Sequence, residues 1–177
     1  MGQKNSVTKN RIESPGSNKN KTWWGQGVRF ACQGSGQCCL SRGSYGYVFL
    51  SLEDRRNLAQ FLGLRTTAFT RKYCDQLHGL YHLKEEKSRL ECIFLSGARC
   101  TVYEARPTQC RTWPFWPEVM GAKSWNREVA NFCPGVGKGK VIPPSQIKQA
   151  LDMQKKSEDA LQTEALQRNK LPRKKKY

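Results

Sequence analysis

Apolar and polar positions alternate over Val28-Arg29-Phe30-Ala31-Cys32, which predicts a short strand. After a turn-rich stretch from Gln33 to Gly46, the apolar run Tyr47-Val48-Phe49-Leu50 predicts a buried strand. Ser51 followed by Asp54 forms a capping pair, and Leu52, Leu58, Phe61 and Leu62 give the helix after it an apolar stripe that Gly63 ends. A second helix is expected over 67–76, packing Phe69 and Tyr73. From Leu80 the period changes to two, so 80–83 and 90–95 read as strands joined by the charged turn 84–89. Residues 96–99 form another turn, and 100–103 a further short strand.

Pro107 suits the first turn of a short helix over 108–112, which Pro114 and Pro117 stop. Trp113, Phe115, Trp116, Trp125 and Phe132 mark an irregular aromatic segment. Gly135, Gly137, Gly139, Pro143 and Pro144 predict a hinge. A long helix follows over 145–169, with Ile147, Ala150, Leu151, Leu161, Ala165 and Leu166 on its apolar side. The expectation is a small α+β domain with a cysteine cluster among short strands. A basic arm (1–22) precedes the domain proper (23–142), and a C-terminal helix and basic tail (143–177) follow it.

Composition narrows the function. The chain has 177 residues, and 31 Lys and Arg against 14 acids give a net charge of +17. No apolar run approaches the roughly 18 residues of a membrane-spanning helix, and MGQKNSVTKN has no signal-like core. Met1-Gly2 with Ser6 matches the N-myristoylation pattern, which is short enough to arise by chance. The arm and the last 27 residues, which end in Arg173-Lys174-Lys175-Lys176, each carry a net +4, so much of the basic excess lies in tails.

Eight cysteines accompany two histidines. Without a visible signal peptide the expected compartment is the reducing cytoplasm, where clustered cysteines serve as metal ligands more often than as cross-links. Cys32 precedes Cys38-Cys39 across a glycine-rich loop, Cys92 and Cys100 bracket a turn, Cys110 follows on the short helix, and Cys133 precedes Pro134-Gly135. These seven are the candidate ligands. Thiolates are soft donors that suit zinc, iron or an iron–sulfur cluster. Arg42, Arg99, Arg106 and Arg111 stand near enough in sequence to offset their charge. Adjacent Cys38 and Cys39 would point to opposite faces of extended backbone, which argues for two metals or a polynuclear cluster unless the chain turns sharply. Cys74, His78 and His82, four apart, would share a helical face, but Gly79 interrupts it and 80–83 reads as strand, so they stay outside the ligand set.

The pattern Phe30-x-Cys32-x-x-Ser35-Gly36-x-Cys38-Cys39, then Cys92-x-Phe94-Leu95, then Cys100-x-Val102-Tyr103-Glu104-x-Arg106-Pro107-x-x-Cys110-Arg111-x-Trp113-Pro114-Phe115, then Cys133-Pro134-Gly135, resembles the YkgJ-type cysteine-cluster family. That is the zinc- or iron-chelating domain with a CxxCxxxxCC signature, and the resemblance covers about residues 28–137. It implies metal binding rather than a defined reaction. Ser35 stands where the family often has a cysteine, and a hydroxyl is a poor soft-metal ligand. A similar cluster occurs in flagellin lysine methylases, but this chain is short for that activity and lacks a glycine-rich methyl-donor loop.

Three functions compete. The first is a metal-binding protein in which Glu104 and Arg106 either support the ligands and the hairpin or form an ion pair or helix cap. The second is a metal-dependent redox enzyme or electron-transfer protein, with no Ser/His/Asp arrangement and histidines too few for acid–base work. The third is a zinc-stabilised nucleic-acid-binding protein using the basic tails, which is less favoured because the cysteine spacing fits no C₂H₂ finger or ribbon. Core packing explains Trp113, Phe115 and Trp116 better than base stacking does.

Overall fold

The computed structural model describes residues 22–40, 46–86 and 90–170. The arm through Lys21 with Met1, Gly2 and Ser6, the candidate Arg42, residues 87–89 of the charged turn, and the tail Arg173 to Lys176 lie outside the described residues.

The fold is α+β, with helices α1 (Leu52–Phe61), α2 (Thr66–Tyr73), α3 (Thr108–Thr112), α4 (Ala122–Ser124) and α5 (Pro144–Lys170). Its strands pair two by two and antiparallel: β1 (Val28–Phe30) with β6 (Val136–Ile142), β2 (Cys74–Leu77) with β3 (Leu80–Leu83), and β4 (Leu95–Ser96) with β5 (Arg99–Cys100). Two apolar clusters fill the interior. One gathers Leu50, Leu58, Phe69, Cys74, Leu83, Phe94 and Val102. The other gathers Val28, Phe115, Val119, Met120, Trp125, Val129 and Ile147.

Helix α1 starts at a complete capping box, because the Ser51 side chain accepts from the Asp54 N–H and the Asp54 carboxylate accepts from the Ser51 N–H. Only part of the expected stripe faces inward. Leu58 and Ala59 are buried, whereas Leu52 and Phe61 are exposed and Asp54 and Arg55 are buried in their place. The buried polar pair has partners elsewhere in the fold. The Arg55 guanidinium pairs with Glu164 of α5, to which Arg168 also donates at 2.5 Å, and the two arginines flank the Tyr81 ring at 4.1 and 4.0 Å.

The second helix ends at Tyr73 and not at 76, because Cys74 opens a strand. His78 and Gly79 both take left-handed backbone, with φ of 50° and 83°, and close a two-residue hairpin that pairs Cys74 with Leu83. Strand 80–83 therefore pairs with 74–77 and not with 90–95. Residues 90–95 contribute only the bridge between Glu91 and Leu40 before β4 begins at Leu95. The apolar run 47–50 lies along the other edge of β3, with Leu50 N–H donating to Tyr81 O at 2.8 Å and Leu83 N–H to Val48 O at 2.9 Å. The expected strand at 100–103 shortens to Arg99–Cys100, since Tyr103–Ala105 turns into a 3₁₀ helix.

The glycine-rich segment expected to hinge is instead strand β6. A Cβ on Gly139 would lie 2.5 Å from the Ala31 Cβ, and one on Gly135 would lie 2.5 Å from the Ala31 carbonyl oxygen. These glycines let two backbones touch. Gly137 and Gly139 both have positive φ, 76° and 69°, but nothing lies within 4 Å of a Cβ at Gly137. Gly137→Ala should therefore cost about 1–2 kcal/mol for the left-handed backbone, and Gly139→Ala a further 1–3 kcal/mol or so for the collision. Urea unfolding of the two variants measures the gap; equal losses would mean that β6 does not sit on β1 as described.

Candidate metal centre

The first cysteines are delivered by a tight turn. Gly36, at φ 69°, leads into a 3₁₀ turn over Gln37–Cys39, and the Gln37 N–H reaches the Ser35 hydroxyl at 3.5 Å. Serine at position 35 thus helps shape the loop. A Cβ on Gly36 would meet the Ala98 carbonyl oxygen at 3.2 Å, so the loop lies directly on the β4–β5 turn. The Cys92 N–H donates to Cys39 O at 2.7 Å and joins the next cysteine to the same turn. Because the backbone turns here, Cys38 and Cys39 do not point apart. Their side chains are hydrogen-bonded to each other, which removes the geometric argument for two separate metals.

Cys92 and Cys100 sit at the base of the β4–β5 hairpin, where Leu95 pairs with Cys100. Each thiol has a backbone donor two residues on, Phe94 for Cys92 and Val102 for Cys100. Donors in that position favour the thiolate.

Cys110 rides on α3, which is fixed from three sides. The buried Asp54 carboxylate accepts from the Thr108 N–H at 2.8 Å and its hydroxyl at 2.9 Å, so the α1 capping box also caps α3. Gln109 accepts from the Phe49 N–H at 3.0 Å and donates to Tyr47 O at 3.1 Å. Thr112 donates to Gln154 of α5 at 2.9 Å. The sequence marks Asp54 only as a cap, and its second role depends on a contact 54 residues away.

A cavity of about 750 Å³ opens at the junction, and Cys32, Cys38, Cys39, Cys92, Cys100 and Cys110 all line it. Charge on Cys38 raises the pKa of Cys39, Cys92, Cys100 and Cys110 alike. The hydrogen bond from Cys38 pushes the Cys39 thiol up further than burial does. At Cys92, Cys100 and Cys110 burial is the largest cause, and Arg106 opposes it at Cys100 and Cys110. Five thiols thus sense one another across one space. Cys32 is exposed on its rim. Cys133 does not line the cavity and packs against the second apolar cluster; the Ala31 N–H to Gly135 O bond, 3.1 Å long, joins its stretch of chain to that of Cys32.

Of the candidate arginines, Arg99 and Arg106 line the cavity, whereas Arg111 is exposed and bonded to Thr108. Glu104 is exposed and does not line it. His82 is buried against Tyr47 with Nδ1 2.8 Å from Leu83 O, and His78 turns the β2–β3 hairpin. Cys74 is buried in the first apolar cluster, against which Cys92 and Cys100 also pack, and does not line the cavity. Phe115 is buried in the second cluster, while Trp113 and Trp116 pack edge to face at 4.7 Å on the cavity wall.

No disulfide joins the eight cysteines. Among the described residues, no three His, Cys, Asp or Glu side chains are already disposed to hold a metal ion. The donor chemistry nevertheless fits a soft metal, with thiols facing one space, backbone N–H groups at two sulfurs and a guanidinium beside two others. The sequence model of the CxxCxxCC family, described as a putative zinc- or iron-chelating domain, matches residues 31–134. The chain belongs to this family. No solved structure matches it at a significant level. No helix among the described residues is long and apolar enough to cross a membrane.

Two outcomes follow from the residues around the site. Asp54→Asn replaces an acceptor with a donor facing Ser51 or Thr108 and should cost about 2–3 kcal/mol in chemical unfolding. Burial raises the Cys74 thiol from the ordinary 9.0 to about 11. Its folded-state pKa is raised, so the stability it contributes is full below pH 9 and lost as pH rises towards 11. In chemical denaturation, the wild-type advantage over Cys74→Ala should shrink by up to about 3 kcal/mol across that window.

Proposed function

We propose that the chain holds zinc or iron in the cavity through the thiolates of Cys38, Cys39, Cys92, Cys100 and Cys110, with Cys32 on the same lining and Cys133 on the adjoining stretch of chain as further ligands. The observation that carries this reading is that Cys32, Cys38, Cys39, Cys92, Cys100 and Cys110, from separate stretches of chain, line one cavity. Such a group is costly to ionise without a cation and favourable with one. Membership in a family described as chelating zinc or iron supports it. An iron–sulfur cluster and zinc both suit the donors, a single zinc taking four of these thiolates, and the visible spectrum separates the two: brown for iron–sulfur, colourless for zinc.

Anaerobically purified full-length protein should contain at least one zinc or iron per chain by elemental analysis. Cys38→Ser and Cys110→Ser should remove most of it, Cys32→Ser and Cys133→Ser part of it, and Cys74→Ser none. Since the ligand thiols are protonated before binding, each proton displaced should weaken affinity about tenfold per pH unit as pH falls. A folded chain free of zinc and iron would overturn the reading.

A further inference from the structure

A separate open groove of about 680 Å³ is lined by α1, α2, β2 and Tyr81. None of the seven candidate ligands lines it. Its charges do not cancel. Arg55 and Arg56 come from α1 and Arg71 from α2, and Asp75 is the one carboxylate on the lining. Arg56 and Arg71 are exposed, and among the described residues their side chains make no ion pair and no hydrogen bond. Thr66 and Thr67, on the first turn of α2, add two hydroxyls that no hydrogen bond engages among the described residues.

Arg55 sets this groove apart from a solvated basic surface, because it is only 4% exposed. Its Nη2 pairs with Glu164, and Arg168 shares that carboxylate. Its Nη1 reaches only Thr70 Oγ1, at 3.5 Å, and its Nε is buried with no hydrogen bond. A buried guanidinium with acceptors for only part of its donors costs free energy. Glu164 offsets one of the two arginines that share it, and Asp75 offsets one more charge, so the groove and its floor keep about two positive charges. Like charges gathered in a cleft raise its potential and draw an anion to it.

We infer that this groove binds a phosphate monoester, its dianionic head held by Arg56 and Arg71 over Arg55. Such a head carries close to two negative charges and three acceptor oxygens, which matches the excess in the groove. Guanidinium forks from two helices can each take a pair of those oxygens, and the threonine hydroxyls can donate to them as well. A diester brings only one charge and fewer free oxygens. The inference does not depend on the metal-binding reading, because the groove shares no candidate ligand with the thiol cavity.

The test titrates phenyl phosphate into full-length protein in physiological salt by calorimetry, with dimethyl phosphate as the diester control. Phenyl phosphate should bind saturably and at least about tenfold more tightly than the diester. Arg56→Gln and Arg71→Gln should each weaken it about tenfold, and the double variant about a hundredfold. Metal content and the urea midpoint should stay at the wild-type values, since both side chains are exposed and unpaired. The same head occurs on soluble esters and on lipids, and sedimentation with phosphatidylcholine vesicles separates the two sources. Vesicles carrying phosphatidic acid present a monoester head, and those carrying phosphatidylglycerol present a diester of the same sign. Preferential retention on phosphatidic acid that the double variant loses would support the inference with a lipid as the source; phenyl phosphate binding without that preference would support it with a soluble ester. No saturable binding of phenyl phosphate, binding unchanged in the double variant, or binding no tighter than that of the diester would overturn it.

Discussion

The structure turns on a group of thiols that cannot all be charged at once. Cys38, Cys39, Cys92, Cys100 and Cys110 face one space, and each of the last four is made harder to ionise by Cys38. Burial adds to the penalty. Two backbone donors and one guanidinium pull the other way, too few to ionise five sulfurs and well placed to support thiolates once a cation is present. The rest of the fold brings four separate pieces of chain to that junction and holds them there.

The holding is done by polar contacts between distant segments. Helix α3 has five residues and could not stand alone. Asp54, Gln109 and the Thr112–Gln154 bond fix it against α1, the run beside β3, and α5. The long C-terminal helix, which the sequence shows as a weakly amphipathic appendage, thus supports the helix that carries Cys110. Further along, Glu164 binds Arg55 and Arg168 around Tyr81, which ties the same helix to the β2–β3 hairpin. A domain with two modest apolar clusters needs such ties, and a bound metal would add a third centre of cohesion between them.

What the sequence makes legible is local. The capping box at Ser51, the end of α1 near Gly63, the short helix after Pro107 and the long helix from Pro144 all depend on neighbours within a few residues. The cysteine clusters are legible for the same reason. Strand partnership was not. Period-two patterning marks 80–83 as a strand but cannot say that it pairs backwards, because two left-handed residues at His78 and Gly79 decide that. The glycines of β6 read as a hinge, since a missing side chain looks the same in sequence whether the backbone must bend or must be approached closely. Asp54 carries a second cap that nothing near it in sequence announces.

The cavity at the junction is lined by more than thiols. A zinc that only cross-links loops draws its ligands inward and leaves no room beside them. Here six thiols share the cavity lining with Leu40, Tyr47, Leu90, Tyr103, Trp113 and Trp116, most of them within three residues of a cysteine. Trp116 is held in that lining by bonds from its indole N–H to Gln109 O at 2.9 Å and Thr112 Oγ1 at 3.2 Å. These are the two residues that flank Cys110-Arg111 on α3. One short helix therefore positions both Cys110 and Trp116, so a shift of Cys110 must also move Trp116. The position of one candidate ligand and that of an aromatic residue on the cavity lining are thus set by the same five residues.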